Sequence, residues 1–309
     1  MDIKAFKEGI PVDFDGAVAS PESPTQGKIW QTLNRAWWEK NPMRYDFTQD
    51  ISYPEHSHEF YHEIDRRFFE SVYQFMPWKN IPFDNLVDFN NLEGKHVLEI
   101  GVGNGSHAQL LSAATDFYTG IDLTHYAVNS TRKRLEINGL KGRIIRMDAE
   151  KLAFDDNSFD FVWSWGVIHH SSDTRQILRE IHRVLKPGGE VMTMVYHRSI
   201  WIRYVRCGLY YGIIKRGFTR GKTIDTLLQK TTDGAIARYY TIHEWNRMLT
   251  PFFVNMKHHV YGSKSLLIPL SYGPLKEKMM RILPNTIGRW ITNRPLFGFL
   301  LVSKFQKSR

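Results

Sequence analysis

The chain has 309 residues, 42% of them hydrophobic and 24% charged, which suits one large domain, or a core of about 200 residues with a sizeable addition, and excludes a disordered chain. A single cysteine, Cys207, excludes an internal disulfide framework or a cysteine-rich metal site; with no uncharged run of roughly 18 residues to span a bilayer and no apolar signal segment near Met1, a cytoplasmic protein is expected. The net charge of +9 is uneven: residues 1–197 hold 21 Lys and Arg against 28 Asp and Glu, a balance of −7, and residues 198–309 hold 20 against 4, a balance of +16.

In chain order, residues 1–28 carry Pro11, Pro21, Pro24 and Gly27 and read as a flexible or surface-laid arm. Residues 29–92 read as an aromatic cap, helical in pieces. Its Trp37, Trp38 and Tyr45 are candidates to cover an acceptor and exclude water, with packing on the core as the alternative. His58 and His62 share a helix face at a spacing that can bind zinc, but lacking cysteine or a second ligand pair they read as a solvated polar face. No metal is expected.

Residues 93–197 alternate strand and helix. Short apolar runs at 95–100, 117–122, 143–148, 159–165 and 190–196 read as strands, and 105–114, 124–138 and 173–185 as helices. That alternation predicts βαβ units and a parallel sheet covered on both faces. Residues 198–240 form a basic, aromatic segment. A helix at 241–249, strands near 253–261 and 297–305 and a helical insertion over about 264–296 complete residues 241–309.

The chemistry gathers at the strand ends. Val97-Leu-Glu-Ile-Gly-Val-Gly-Asn-Gly105 places glycines 101, 103 and 105 after a strand, where the backbone can turn sharply and a ligand can approach the main chain. Taken alone, such a loop is weak evidence. Asp122 ends the next strand, where a carboxylate can accept both hydroxyls of a ribose. Asp148 and Ala149 end the third, suited to an exocyclic amine and a purine edge. Any one acid could be a helix cap; three loops at consecutive strand ends, each with a suitable polar group, make a nucleotide-like site.

Those residues, with Gly120-Ile-Asp122, Asp148-Ala-Glu-Lys-Leu-Ala-Phe154, Gly166-Val-Ile-His-His170 and Glu180-Ile-His-Arg-Val-Leu-Lys-Pro-Gly-Gly189, resemble the class I S-adenosylmethionine-dependent methyltransferases. The branch is the ubiquinone/menaquinone type, methyltransferase type 11. The resemblance covers residues 96–196, about a third of the chain. It implies an α/β, Rossmann-like seven-stranded sheet with the last strand inserted antiparallel, and S-adenosyl-L-methionine as cofactor, leaving as S-adenosyl-L-homocysteine. It also implies that Glu99, Gly101 and Gly103 hold the methionine end, Asp122 the ribose, and Leu123, Asp148 and Ala149 the adenine. Trp165 and Gly166 would line the approach to the sulfonium.

Methyl transfer is an in-line displacement, so the protein must align the reactants and exclude water, and a base is needed only for an acceptor that holds its proton near neutrality. His169 and His170 are candidates for that base, His169 the favoured one, with helix capping as the competing role. Tyr196 and His197, ending the fifth strand, face the same edge. The basic residues of the last third are interleaved with aromatic and aliphatic ones. They suit an anionic or lipid-like small-molecule acceptor, or peripheral contact of 198–218 with a membrane. Scattered cations without an RNA-binding module speak against nucleic acid. A membrane-surface methyltransferase of a quinone or prenyl-like lipid and a non-catalytic cofactor sensor or scaffold are the competing readings; the sequence leaves the oligomeric state open.

Overall fold

The computed structural model describes residues 19–46, 49–268, 270 and 273–309, together with the side chains of all of these except Glu277. The first eighteen residues of the expected arm therefore lie outside the described residues. Helix α1 (Pro24–Lys40) begins inside the remainder: Ser23 caps it and Pro24 fits the first turn, where no amide hydrogen is needed. Helix α2 (His58–Tyr73) follows.

The core then runs β1 (Val97–Ile100), α3 (Ser106–Ala114), β2 (Tyr118–Asp122), α4 (His125–Ile137), β3 (Arg143–Arg146), β4 (Phe159–Trp165), α5 (Thr174–Val184) and β5 (Leu185–His197). Beyond it lie a π-helix at Trp201–Ile214, α6 (Ile224–Lys230), β6 (Tyr239–Tyr240), α7 (Ile242–Leu249), β7 (Val254–Tyr261), α8 (Pro274–Ile282), α9 (Asn285–Thr292) and β8 (Leu300–Gln306). The sheet order is β3-β2-β1-β4-β5-β8-β7, with β8 antiparallel between β5 and β7. Among the described residues it has eight strands rather than seven. The addition is β6, two residues paired with the end of β5, too short to announce itself in the sequence. The Lys186–Gly189 stretch, expected only to end a helix, sits in a β-bulge at the start of β5.

Alternation along each strand fills two core layers. Val97, Phe161, Trp163, Met192 and Val302 pack on the side of α2, α3 and α4, while Leu98, Val162, Val191 and Leu301 pack on the side of α5 and α7. Helix α5 shows how the second layer closes. Ile177, Leu178, Ile181 and Val184 are all buried along one stripe, each contributing about 1.5–3 kcal/mol by leaving water.

The cap is tied to the core by polar contacts. Glu39 of α1 accepts the amides of His125 and Tyr126 at 2.8 and 2.9 Å, a carboxylate at the N-terminus of α4. The Asn104 amide donates to the Met43 carbonyl at 2.7 Å. Arg238, buried just before β6, donates to the carbonyls of Ala19, Ser171 and Ser172.

Candidate active site

One cavity of about 590 Å³ runs along the carboxyl edge of the sheet and under the cap. Its floor is the loop after β1. Gly101 has φ +84°, and a side chain there would overlap Val167, so neither its backbone nor its surroundings admit another residue. Gly103 has φ +53° with open space where a side chain would stand, and lies on the wall. A ligand can therefore approach that backbone directly, which is what the methionine end of the cofactor requires.

Asp122, Leu123, Asp148 and Ala149 lie on the same wall, as do Trp165 and Gly166. The Asp122 carboxylate accepts from Gly103 N at 3.2 Å, Thr124 N at 3.0 Å and Thr124 Oγ1 at 2.8 Å. Burial nevertheless raises its pKa, with those donors opposing. Asp148 accepts from the Gln31 amide at 2.9 Å. Gln31, Asn34 and Trp38 of α1 share one helix face and all line the cavity. The buried Asn34 Oδ1 has no hydrogen-bond partner among the described residues. An acceptor atom without a partner beside Asp148 suits a ligand carrying N–H donors, as adenine does. Fold and wall thus fit the group that the resemblance implies.

Glu99 stands elsewhere. Tyr118 donates to its Oε2 at 2.6 Å, deep beneath the loop and off the cavity wall. The reason is local: Gly120, opposite Glu99 in the β1–β2 register, leaves the room that the Tyr118 hydroxyl needs. Burial pushes the Glu99 carboxyl up to about 8; the Tyr118 bond lowers it, the Asp122 charge raises it and Arg134 lowers it. The folded chain thus holds a proton that the unfolded chain releases from about 4.5 upward. Stability from this group falls as pH rises from 4.5 through about 8. Glu99→Gln, whose amide oxygen can still accept from Tyr118, is expected to flatten that decline in urea-unfolding free energies measured across the window.

At the other end of the cavity, Trp38, Tyr45, His170 and Tyr196 line the wall, whereas Trp37, His169 and His197 do not. Trp37 packs with Trp30 and Ile236 in a small core of its own. His197 Nδ1 bonds the Gly298 carbonyl at 2.9 Å, which holds it against the strand. His169 lies behind Tyr196, ring centroids 4.1 Å apart, fully buried and with neither nitrogen hydrogen-bonded among the described residues. Burial drives its pKa well below the usual histidine value, so it is neutral there. The favoured histidine is thus not the one that reaches the cavity.

His170 is. Its Nδ1 bonds the Ile236 carbonyl at 2.6 Å. A carbonyl only accepts, so Nδ1 carries the proton and Nε2 presents a lone pair, without a partner among the described residues. Gly234 leaves the space this ring fills. Burial lowers the His170 pKa, and the Asp233 charge raises it. Asp233, also on the wall, accepts from the Tyr196 hydroxyl at 2.6 Å. Asp233, Arg206 and Lys276 in the basic third, and Asn34 and His107 nearer the cap, are wall residues that sequence reasoning missed. For Asn34 a signal existed, its i, i+3, i+7 alignment with Gln31 and Trp38; Arg206 and Lys276 were signalled only as part of the basic, aromatic last third, and for Asp233 and His107 there was no signal.

The fold and this site define a class I S-adenosylmethionine-dependent methyltransferase domain. A family described as "Methyltransferase domain" matches residues 98–193, and the domain belongs to the type 11 branch. Among curated relatives, the phthiotriol/phenolphthiotriol dimycocerosates methyltransferase of Mycobacterium tuberculosis is 41% identical over 101 residues, 32% of this chain and 37% of that protein. The fatty-acid O-methyltransferase of Mycolicibacterium smegmatis is 39% identical over 101 residues, 32% and 36% of the two chains. The 27-O-demethylrifamycin SV methyltransferase of Amycolatopsis mediterranei is 35% identical over 101 residues, 32% and 37%. The match spans little more than a third of these relatives' length. The structure of phosphoethanolamine N-methyltransferase 2 from Haemonchus contortus, in complex with S-adenosyl-L-methionine, has a TM-score of 0.52 at 16% identity, covering 89% of this chain and 60% of that one, a likeness of fold.

Proposed function

We propose that the chain transfers the methyl group of S-adenosylmethionine to a small-molecule acceptor with an apolar body. The observation that carries this reading is the single cavity joining the Gly103, Asp122 and Asp148 wall to the His170, Tyr196 and Asp233 wall. The bound cofactor supplies an activated methyl. The chain's own part is to hold it through Gly103, Asp122 and Asp148, to exclude water with Trp38 and Tyr45, and to receive the acceptor's proton at His170 Nε2. Asp233 stabilises the imidazolium that results.

Phe68, Val72, Phe75, Ile202 and Phe299 make the acceptor end apolar, and Arg206 and Lys276 add cations. These support an anionic or lipid-like acceptor. The names of two relatives, which act on phthiotriol dimycocerosates and on a fatty acid, agree with it. Peripheral contact of residues 198–218 with a membrane belongs to the same proposal: Tyr204, Ile213 and Ile214 are exposed there beside Lys215 and Arg216. No helix among the described residues is long and apolar enough to cross a bilayer.

The test is transfer of label from methyl-labelled cofactor to a bacterial lipid extract and to the aqueous fraction of the same lysate. Label in neither fraction refutes turnover and leaves the sensor or scaffold reading. His170→Ala is expected to slow transfer by roughly 10²–10⁴-fold with cofactor affinity unchanged. An undiminished rate removes the proton from His170.

A further inference from the structure

We propose that the helical hairpin α8–α9 is a membrane-docking element that seats the chain on an anionic bilayer surface. Two short helices here carry an outward apolar stripe. On α8, Leu275 is 64% exposed, Met279 42% and Ile282 72%, at i, i+4 and i+7 on one face. On α9, Ile287 is 49% exposed and Trp290 70%, one turn apart. Large apolar side chains set outward on two successive helices are unusual for a surface facing only water.

The stripe is not left over from loose packing, because the hairpin is fastened from the other side. Lys264 donates to the carbonyls of Met280 and Leu283 at 2.8 and 2.7 Å. Asn293 donates to the Phe75 carbonyl at 2.8 Å, and Thr292 is buried. Arg289 is turned inward onto the Gln74 carbonyl at 3.3 Å. The body of the protein therefore holds these two helices with their apolar faces outward.

The charge on that face identifies the occupant. Of the six Lys and Arg in residues 264–296, Lys264, Lys276 and Arg289 are turned inward, which leaves Lys278, Arg281 and Arg294 to the surface. Lys278 and Arg281 are exposed among the apolar residues of α8, and the Arg294 guanidinium lies 5.9 Å from the centre of the Trp290 ring. Aliphatic side chains flanked by tryptophan and cations match the depth profile of an anionic bilayer, apolar below and phosphate at the rim. Helices of nine and eight residues lie at such a surface and do not span it.

The position also deepens the proposed reaction, on which the acceptor part of this inference rests. Lys276 on the inner side of α8, with Ile268 and Leu270 just before it, lines the acceptor end of the cavity. Helix α8 therefore has one side on the chamber and the other on the docking face, which sets an acceptor held in the bilayer close to the chamber.

Flotation of the full chain at low salt, without cofactor, decides the matter. The chain is expected to float with vesicles of phosphatidylcholine and phosphatidylglycerol and far less with phosphatidylcholine alone. Ile282→Glu/Trp290→Glu is expected to lose at least about tenfold of that partition, while Ile137→Glu, an exposed apolar residue on α4, keeps it. Circular dichroism and the thermal midpoint check that the double variant is folded; if it is not, Lys278→Glu/Arg281→Glu takes its place with the same expectation. No flotation with the anionic vesicles, equal flotation with neutral ones, or full flotation of both folded double variants overturns the proposal. So does a concentration-dependent dimer, lost in the double variant, without vesicle binding; the stripe then belongs to a second copy. Because cofactor plays no part, failure of S-adenosylmethionine binding would sink the methyltransferase reading and leave this result standing.

Discussion

Asp122→Ala is expected to weaken S-adenosylmethionine binding by about 1.5–3 kcal/mol, the scale of hydrogen bonds to a charged group, or roughly 10- to 150-fold. Asp122 ends β2 on the cavity wall, and its carboxylate is the acceptor available to the ribose hydroxyls. The same carboxylate receives Gly103 N and both donors of Thr124, so its removal also loosens the loop that the ligand rests on. Asp122→Asn separates the two effects, since an amide oxygen still accepts but carries no charge. Equilibrium dialysis with labelled cofactor measures both variants. If alanine leaves the affinity unchanged, the ribose is held elsewhere.

Arg134→Met is expected to produce the largest loss of stability, about 3–5 kcal/mol in urea unfolding, as for a buried ion pair broken from one side. The Arg134 side chain on α4 is 1% exposed and pairs with Asp65 on α2. It also donates to the Gln109 amide oxygen at 2.8 Å and to the Asn104 carbonyl at 3.2 Å. One guanidinium thus ties cap, core helix and glycine loop together. Methionine fills much of the volume but leaves the Asp65 carboxylate and the Asn104 carbonyl without that partner. In Asp65→Ala/Arg134→Met the second substitution should cost much less than it does alone, because the stranded charge is gone. Additive losses would show that the pair carries no special weight.

The parts that sequence made legible are those governed by local rules. Strand runs, the glycines after β1 and the acids at the ends of β2 and β3 follow from period and position along the chain. Gly101, Gly103, Asp122, Asp148 and Trp165 consequently stand on one wall. What remained hidden depends on packing between distant segments. His169 and His170 are adjacent in one tight turn, and only the contact of His170 with Ile236, 66 residues on, decides which ring faces the cavity. Glu99 lies in a loop motif that suggests ligand contact, yet a gap beside Gly120 lets Tyr118 claim it. Asp233 sits in a segment without periodicity, and its place beside Tyr196 is set when the basic third folds back on the sheet.

The uneven charge acquires a location in the same way. Of the four acids in the last third, Asp225 and Glu244 pair with Arg203 and Arg198, and Asp233 faces the cavity. The exposed cations of α8 and Arg294 are left beside apolar side chains at the surface. The net +16 of residues 198–309 therefore bears on how an acceptor reaches the chamber, while the cofactor wall is built from the mildly acidic part of the chain.

The central claim is that the wall formed by Gly103, Asp122 and Asp148 holds S-adenosylmethionine. Calorimetric titration of the full chain with S-adenosylhomocysteine, the product that shares every contact except the methyl, tests it most directly. Saturable binding of one equivalent per chain, with a matching rise in the thermal midpoint, is expected. The absence of both heat and thermal stabilisation at saturating ligand would overturn it.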